Sequence, residues 1–227
     1  MRAVDQRNAT HEGRNYLPLS LADCIRQLKI EDLESAAVLM ARAFQDDPYM
    51  AYLIPDAAKR LEMLPKFYRV FIKASILNHH AYGVGVPLDG VAIWSVPDQE
   101  RVNFTGLFRS GLFILVFQGF LFPFIRAIKV MRVIEGMQKK FLQKNDFYLN
   151  MLAVSPESQG RGCASKLVRP FLEKADSKSS GVYVKTMKLS TNRIYEHFGF
   201  QCKETCKVKT GLSVWALYRP QKLKPEQ

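Results

Sequence analysis

The chain has 227 residues, 48% of them hydrophobic, and a formal net charge of +12 at pH 7. That apolar content excludes an intrinsically disordered chain and allows a sizeable core. The positive balance favours an anionic partner: nucleic acid, a lipid surface or a phosphate-bearing small molecule.

Residues 1–20 are polar, contain no secretory-type apolar segment and read as a loose arm. "CIRQL" reads as a short strand. From Glu31 to Phe44 the residues Leu33, Ala36, Ala37, Met40, Ala41 and Phe44 recur at helical spacing, and Glu31 and Asp32 suit a helix N-terminus. Pro48 disfavours helix at Asp47 and stops that run. Ala58 to Leu77 is a second helix, with Leu61, Leu64, Phe67, Tyr68, Phe71 and Ile72 on one side. "AYGVGVP" and "GVAIWSVP", joined through Leu88–Asp89–Gly90, read as a hairpin. Residues 104–142 read as two helices parted near Pro123. Within them "SGLFILVFQGFLFPFI", Ser110 to Ile125, carries no charge. A spanning helix needs roughly 20 predominantly apolar residues. This run is shorter and is interrupted by Gln118, Gly119 and Pro123, so it is expected to be buried or half-buried helix and no transmembrane segment, with contact to a membrane surface or a greasy substrate as the alternative. Most of Phe108, Phe113, Phe117, Phe120, Phe122 and Phe124 are expected in the core, with a few lining an apolar acceptor pocket. Trp94 is expected to pack in the core.

"FYLNMLAV" reads as a strand, followed by a turn and a helix from about Gly162 to Asp176. Pro170 falls inside that helix and predicts a kink or an early first turn. "GVYVKTM" reads as a strand, Thr191 to Phe198 as a short helix, and "CKETCKVK" with "SVWALYR" as a final strand pair. Residues 221–227 form a polar tail. No repeat or linker divides the chain, so 21–220 read as one domain with a helical insertion at about 104–142. Cys24, Cys163, Cys202 and Cys206 form no CxxC pair and the four histidines lie away from metal-ligand spacing, which argues against a metal site. Reduced thiols fit a cytoplasmic setting.

The stretch that carries chemistry is "SPESQGRGCASKL", residues 155–167. It joins a strand to a helix with two glycines in the turn. Such a turn aims several backbone N–H groups into one concavity beside the positive end of the helix dipole. Glycine removes the side chains that would hold an anion away, and a diphosphate fits the nest. The order lacks a G-x-x-x-x-G-K-[ST] phosphate loop and a G-x-G-x-x-G dinucleotide fingerprint. The spacing Gln159-x-x-Gly162-x-Ala164 resembles the Q/R-x-x-G-x-G/A signature of the GNAT superfamily, the acyl-CoA-dependent N-acyltransferases. "LAVSPESQGRGCASKL" matches that family's strand–loop–helix, and "STNRIYEHFGF" resembles its N-x-x-x-Y-x-x-x-G-F block, one residue shorter between Asn192 and Tyr195. "IRQLKIEDLESAAVLMARAFQDDP" and "GVAIWSVP" look like the family's early strand–helix and hairpin, so the likeness covers roughly residues 24–219.

The resemblance implies an α/β (α+β) fold: a mixed, mostly antiparallel central sheet flanked by helices, with a helical insertion before the cofactor-binding strand. It implies acetyl-CoA as co-substrate and no metal. The pantetheine arm would lie along Leu152, Ala153 and Val154, pairing with the backbone of Leu152 and Val154. Amides of Gln159, Gly160, Arg161, Gly162, Cys163 and Ala164 would hold the pyrophosphate, Ser165 would add a hydroxyl bond, and Asn192 would touch the cofactor near its pantetheine end. Cys163 is unusual in that loop, although the contact needed there is a backbone one. Acyl transfer to an amine asks for loss of the amine proton, stabilisation of the thioester oxygen and protonation of the departing thiolate. An N–H near Leu152 would serve the second need and Tyr195 the third. For the base, Asp46, Asp47, Glu135, Asp146, His79, His80 and a water chain in place of a dedicated base all stay open, and His197 should face elsewhere. The acceptor is expected to be a small-molecule amine attacking directly in a ternary complex. A protein or peptide amine, or a non-catalytic acyl-CoA sensor, are the alternatives. Dispersed Lys and Arg argue against nucleic acid, and a homodimer stays open.

Overall fold

The computed structural model describes residues 25–97, 110–208 and 211–221. The arm at 1–20, Cys24, the first residues of the insertion with Phe108, and the tail beyond 221 lie outside the described residues.

Seven strands form one sheet: β1 (Arg26–Gln27), β2 (Ala81–Val84), β3 (Gly90–Ser95), β4 (Phe147–Val154), β5 (Val182–Thr186), β6 (Gln201–Lys207) and β7 (Ser213–Arg219). Their order is β1-β2-β3-β4-β5-β7-β6. Every pairing is antiparallel except β4 with β5. This is the mixed, mostly antiparallel sheet that the sequence implied. The turn before β3 spans Gly85 to Leu88, and the Asp89 amide closes it on the Val84 carbonyl at 2.8 Å.

Strand β4 is irregular at one point. Ile93 faces Met151 and Trp94 faces Leu149, which leaves Asn150 as an extra residue, a β-bulge. Phe147 and Leu149 share one apolar cluster with Leu152 and Val154, so the two-residue alternation slips by one at Asn150. The Asn150 side chain fixes the bulge by donating to Ser95 Oγ at 2.9 Å. A bulge bends a strand and increases its twist. Pairing of β4 with β5 covers only Phe147–Val182, Tyr148–Tyr183 and Leu149–Val184, and stops where the bulge begins.

Helices cover both faces of the sheet. On one face lie α1 (Leu33–Ala43), α2 (Pro48–Leu53) and α3 (Ala57–Leu77). Pro48 ends the first helical run, as its sequence requires, but it also opens α2. The Asp47 carboxylate caps that helix by accepting the amides of Tyr49 at 2.9 Å and Met50 at 3.3 Å. An aspartate N-cap followed by proline at the first helical position is a start signal that the stop reading overlooked.

The insertion contains α4 (Leu112–Leu115), an irregular turn Val116–Phe120, and α5 (Leu121–Phe141). The break falls at Gln118 and Gly119, where Gly119 has φ +89, and not at Pro123. Pro123 sits in the first turn of α5, where its missing N–H leaves no helical bond unmade. The expected burial is also corrected. Phe120 is buried, but Phe113, Ile114, Phe117 and Phe122 are exposed, Phe117 by 87% and Phe122 by 71%. The reason is geometric: α5 touches the sheet through one stripe, Val130, Ile134 and Met137, against Tyr183, Val214 and Ala216.

On the opposite face, α6 (Cys163–Ser177) buries Leu167, Val168, Phe171, Leu172 and Ala175. Each large apolar side chain so buried contributes about 1.5–3 kcal/mol relative to exposure. Trp94 packs in this core, stacked on Phe171 at 4.7 Å with its indole N–H on the Leu167 carbonyl at 3.2 Å. The helix runs through Pro170 without interruption, and Pro170 is exposed. The last helix, α7 (Leu189–His197), comes after β5.

Candidate active site

Where β4 leaves β5, a cleft of about 1070 Å³ opens. One wall is main chain. The Ser155 amide bonds to the Asp89 carbonyl at 2.8 Å, toward β3. Backbone groups alternate sides along a strand, so Val154 and Leu152 turn theirs toward the gap. The Gln159 amide side chain reaches the Val154 carbonyl at 3.5 Å.

The turn that continues this wall is held in place from below. Ser158 is buried and its hydroxyl donates to the Asp89 carboxylate, while Glu157 pairs with Arg42 of α1. Asp89 therefore anchors the turn through both its carbonyl and its side chain. Its role depends on a tertiary contact between hairpin and loop, which no local pattern announces. Gly160 and Gly162 have φ of +77 and +80, the left-handed region that glycine enters without strain. A Cβ at either position would meet no atom within 4 Å, so both glycines border open space. Gly162 is the N-cap of α6, and the Lys166 amide takes its carbonyl at 3.1 Å. The amides of Gly162, Cys163, Ala164 and Ser165 then have no intrahelical acceptor, at the positive end of the helix dipole.

The structure brings most of the sequence-derived set to this cleft: Leu152, Ala153, Val154, Gln159, Gly160, Gly162, Cys163, Ala164, Ser165 and Tyr195 all line it. Arg161 and Asn192 are not among the lining residues. The Arg161 amide turns back to the Ser158 carbonyl at 3.4 Å. Asn192 is buried beneath, and its Oδ1 has no hydrogen-bond partner among the described residues. Cys163 is a buried free thiol packed with the apolar face of α6. Tyr195 is buried with its ring edge-on to Phe200 at 5.7 Å. Burial, helped by nearby Tyr148, holds its phenol well above the usual range, so it stays protonated across ordinary pH.

The facing wall is made of side chains from the α1–α2 corner, α3 and α5: Phe44, Phe67, Phe71, Met131 and Ile134 among them. Asp47 is the one carboxylate among the described residues that line the cleft. Burial raises its carboxyl above the ordinary range, against the pull of the Met50 and Tyr49 amides and of Lys188. Nearby, Tyr68 is fully buried and its hydroxyl has no partner among the described residues. Between the walls, the Tyr148 hydroxyl accepts from Lys185 Nζ at 2.5 Å and Gln138 Nε2 at 2.8 Å. Lys185 and Tyr68 are cleft residues that the sequence reading missed, because neither belongs to a spaced motif.

The other acids and histidines sort themselves by position. Asp46 is exposed and lies 3.9 Å from Arg60. Asp146 is a structural staple that accepts from the Gly181 amide at 3.0 Å, the Gln143 amide at 2.9 Å and the Tyr218 hydroxyl at 3.2 Å. Glu135, His79 and His80 do not line the cleft. His197, expected to face elsewhere, is instead exposed and among the residues that line the cleft. Among the described residues no group of His, Cys, Asp and Glu is arranged to hold a metal.

These features fit an acyl-CoA: a strand edge whose backbone faces the gap, a glycine turn with open space over it, helix amides without an intrahelical acceptor, and a buried asparagine whose Oδ1 has no partner among the described residues. Residues 127–202 match the family model described as an acetyltransferase (GNAT) domain. The chain is 25% identical over 181 residues to an uncharacterized N-acetyltransferase of Schizosaccharomyces pombe, covering 77% of this chain and 73% of that protein. Its fold is similar to that of a histone acetyltransferase HPA2 and related acetyltransferase from Corynebacterium glutamicum, with a TM-score of 0.61 and 16% identity over 88% of this chain and 97% of the other. It is also similar to arylalkylamine N-acetyltransferase 2 from Aedes aegypti, with a TM-score of 0.56 and 12% identity over 87% and 98% of the two chains. At those identities the structural likenesses bear on fold.

Proposed function

We propose, from the premise that this chain belongs to the GNAT superfamily and is an acetyltransferase, that it transfers the acetyl group of acetyl-CoA to the amine of a small apolar acceptor. The single observation that carries this reading is the parting of β4 from β5 at the bulge, with backbone turned to the gap and leading into the Gly160–Gly162 turn. The single sheet that holds all seven strands, from β1 at one edge to β6 at the other, supports taking 21–220 as one domain.

Acetyl-CoA, when bound, supplies the acyl thioester and a diphosphate handle. Leu152 and Val154 would pair with an extended arm along the strand edge. The amides of Gly162, Cys163, Ala164 and Ser165, with that of Gly160, would take the diphosphate, and Ser165 adds a hydroxyl. The Arg161 amide contributes least, since Ser158 already engages it. The Leu152 N–H would donate to the acyl oxygen as charge develops there. Tyr195, kept protonated by burial, would hand its phenolic proton to the departing sulfur. Asn192 would support the wall from beneath.

On the acceptor side, Phe44, Phe67 and Phe71 would hold an apolar body, and Asp47 would receive the amine. A carboxylate with a raised pKa is a stronger base than an ordinary one. Asp47 would bind the ammonium form and take its proton before direct attack in a ternary complex. The cleft lies at the upper end of small-molecule pocket sizes, which favours a small acceptor over a folded protein surface.

Screening amines with acetyl-CoA and reading CoA release tests this. Arylalkyl or alkyl amines are expected to release CoA, and acetyl-CoA alone is expected to raise the melting temperature by ligand linkage. Stabilisation by acetyl-CoA with no release for any amine would assign the protein to sensing rather than catalysis. Release only with peptide amines would move the acceptor to polypeptide.

A further inference from the structure

The outer side of the insertion is at odds with the rest of the surface. Among the described residues, nine of the sixteen exposed large hydrophobic side chains fall between 113 and 131. Phe117 and Phe122, the two most exposed, flank the kink at Gly119. From there Leu121, Ile125 and Ile128 continue one stripe at i, i+4 and i+7, and the stripe then changes character. Its next member is Arg132, and Lys129 lies one helical repeat beyond Phe122. Lys129, Arg132 and Lys139 are exposed and carry no ion pair among the described residues, and Glu135 is the one acid on this stretch of α5. An apolar end thus passes into a cationic end along the same helix face.

We propose that this face of α4 and α5 rests on an anionic lipid surface, with Phe117, Phe122 and Ile125 among the acyl chains and Lys129 and Arg132 at the headgroups. The order of chemistry along the helix is the order of layers in a bilayer leaflet, apolar first and anionic next. Phe113–Phe141 is long and apolar enough to cross a membrane, and only 22% of its most apolar window is buried. It lies on the surface instead of crossing because its inner stripe, Val130, Ile134 and Met137, is packed on the sheet. The excess of positive charge in the whole chain acts in the same direction. Exposed apolar patches of this kind on a folded protein mark an interaction site.

Co-sedimentation of the full chain with phosphatidylcholine vesicles, with and without phosphatidylserine, tests the assignment. Binding is expected to the phosphatidylserine vesicles, at least about tenfold tighter than to phosphatidylcholine alone, and to weaken as salt is raised. Phe117→Asp with Phe122→Asp should abolish it without lowering the melting temperature, since both side chains project outward. Lys129→Ala and Arg132→Ala should each weaken it about fivefold, equivalent to about 1 kcal/mol per basic residue at an anionic surface. These two keep the test decisive if the aspartate pair fails to fold. No binding to either vesicle, equal binding to both, or binding indifferent to the alanine substitutions would overturn the proposal. A solution dimer that the aspartate pair dissociates, with no vesicle binding, would give the face to a second copy of the chain.

Discussion

Along the β4–α6 side of the cleft the lining is main chain: the Leu152 and Val154 peptide groups, two glycines and the first amides of a helix. Across from it the lining is side chain: Phe44, Phe67, Phe71 and Asp47, brought in from the α1–α2 corner and α3. The two walls meet different demands. A backbone wall can be specified by a short run of sequence, because it needs only a strand, small residues in the turn and a helix start. A side-chain wall is assembled from residues far apart in the chain, and each can be exchanged without disturbing the others. On the proposed function, the first wall would take the cofactor and the second would choose the acceptor.

The difference is broken hardest at Gly162. A valine there must adopt φ +80, where a β-branched residue is strained by roughly 1–3 kcal/mol. Its side chain would also project into space that no protein atom fills. Gly162→Val is expected to lower acetyl-CoA affinity about a hundredfold, equivalent to about 2.7 kcal/mol, read by calorimetry. Affinity equal to that of the parent would remove the diphosphate from this turn. Tyr195→Phe comes next and separates chemistry from binding. It keeps the ring contact with Phe200 and deletes the proton, so kcat should fall about a hundredfold with the acetyl-CoA Kd unchanged. A kcat close to the parent's would withdraw the acid from Tyr195.

On the side-chain wall, Asp47→Asn should act on the acceptor alone. Asparagine caps a helix about as well as aspartate, so α2 should persist. The Asp47 carboxyl titrates above the ordinary range because the half-buried site desolvates its charged form. As pH falls through that raised pKa the carboxylate gains a proton and loses its hold on the ammonium. The acid limb of kcat/KM for the amine should therefore lie above the usual carboxylate value of about 4 in the parent and vanish in the variant. A drop of about tenfold at neutral pH is expected. An identical acid limb in both proteins would assign it to another group.

How much of this was legible in the sequence turns on the same contrast. The strand Phe147–Val154, the turn and α6 fall within a residue of their expected places, because periodicity and glycine spacing are local. Ten of the assigned cofactor-side and acid residues reach the cleft, while Arg161 and Asn192 stay out of its lining. The orientation of one amide and the burial of one asparagine depend on packing that spacing does not encode. The bulge at Asn150 does not follow from the sequence, because one polar residue in "FYLNMLAV" suits a regular strand as well as a bulged one, and its cause lies in the pairing with β3. Asp89 read as a turn residue and proved to be the anchor of the loop. The insertion misled for a different reason. Phenylalanine density measures apolar content, and content cannot say whether a helix finds its partner inside the molecule.

Cys163 offers the finest test of the contrast, since it is a side chain on the backbone wall. It lines the cleft and starts α6, yet its thiol is buried with Leu167 and Val168 on the inner face of the helix. If this wall acts through main chain, the identity of that side chain is immaterial to the cofactor. Cys163→Ser keeps the size and the N–H, and exchanges a small hydrophobe for a hydroxyl in an apolar cluster, at a cost of about 1 kcal/mol in stability. For a chain of this size that is a fall of about 2–4 °C in melting temperature. The acetyl-CoA Kd and kcat should match the parent within error, and in the folded parent thiol reagents should modify buried Cys163 far more slowly than exposed Cys202. A serine variant that folds but binds acetyl-CoA tenfold more weakly would mean that the side chain itself faces the ligand, and the division between a main-chain wall and a side-chain wall would fail at its simplest point.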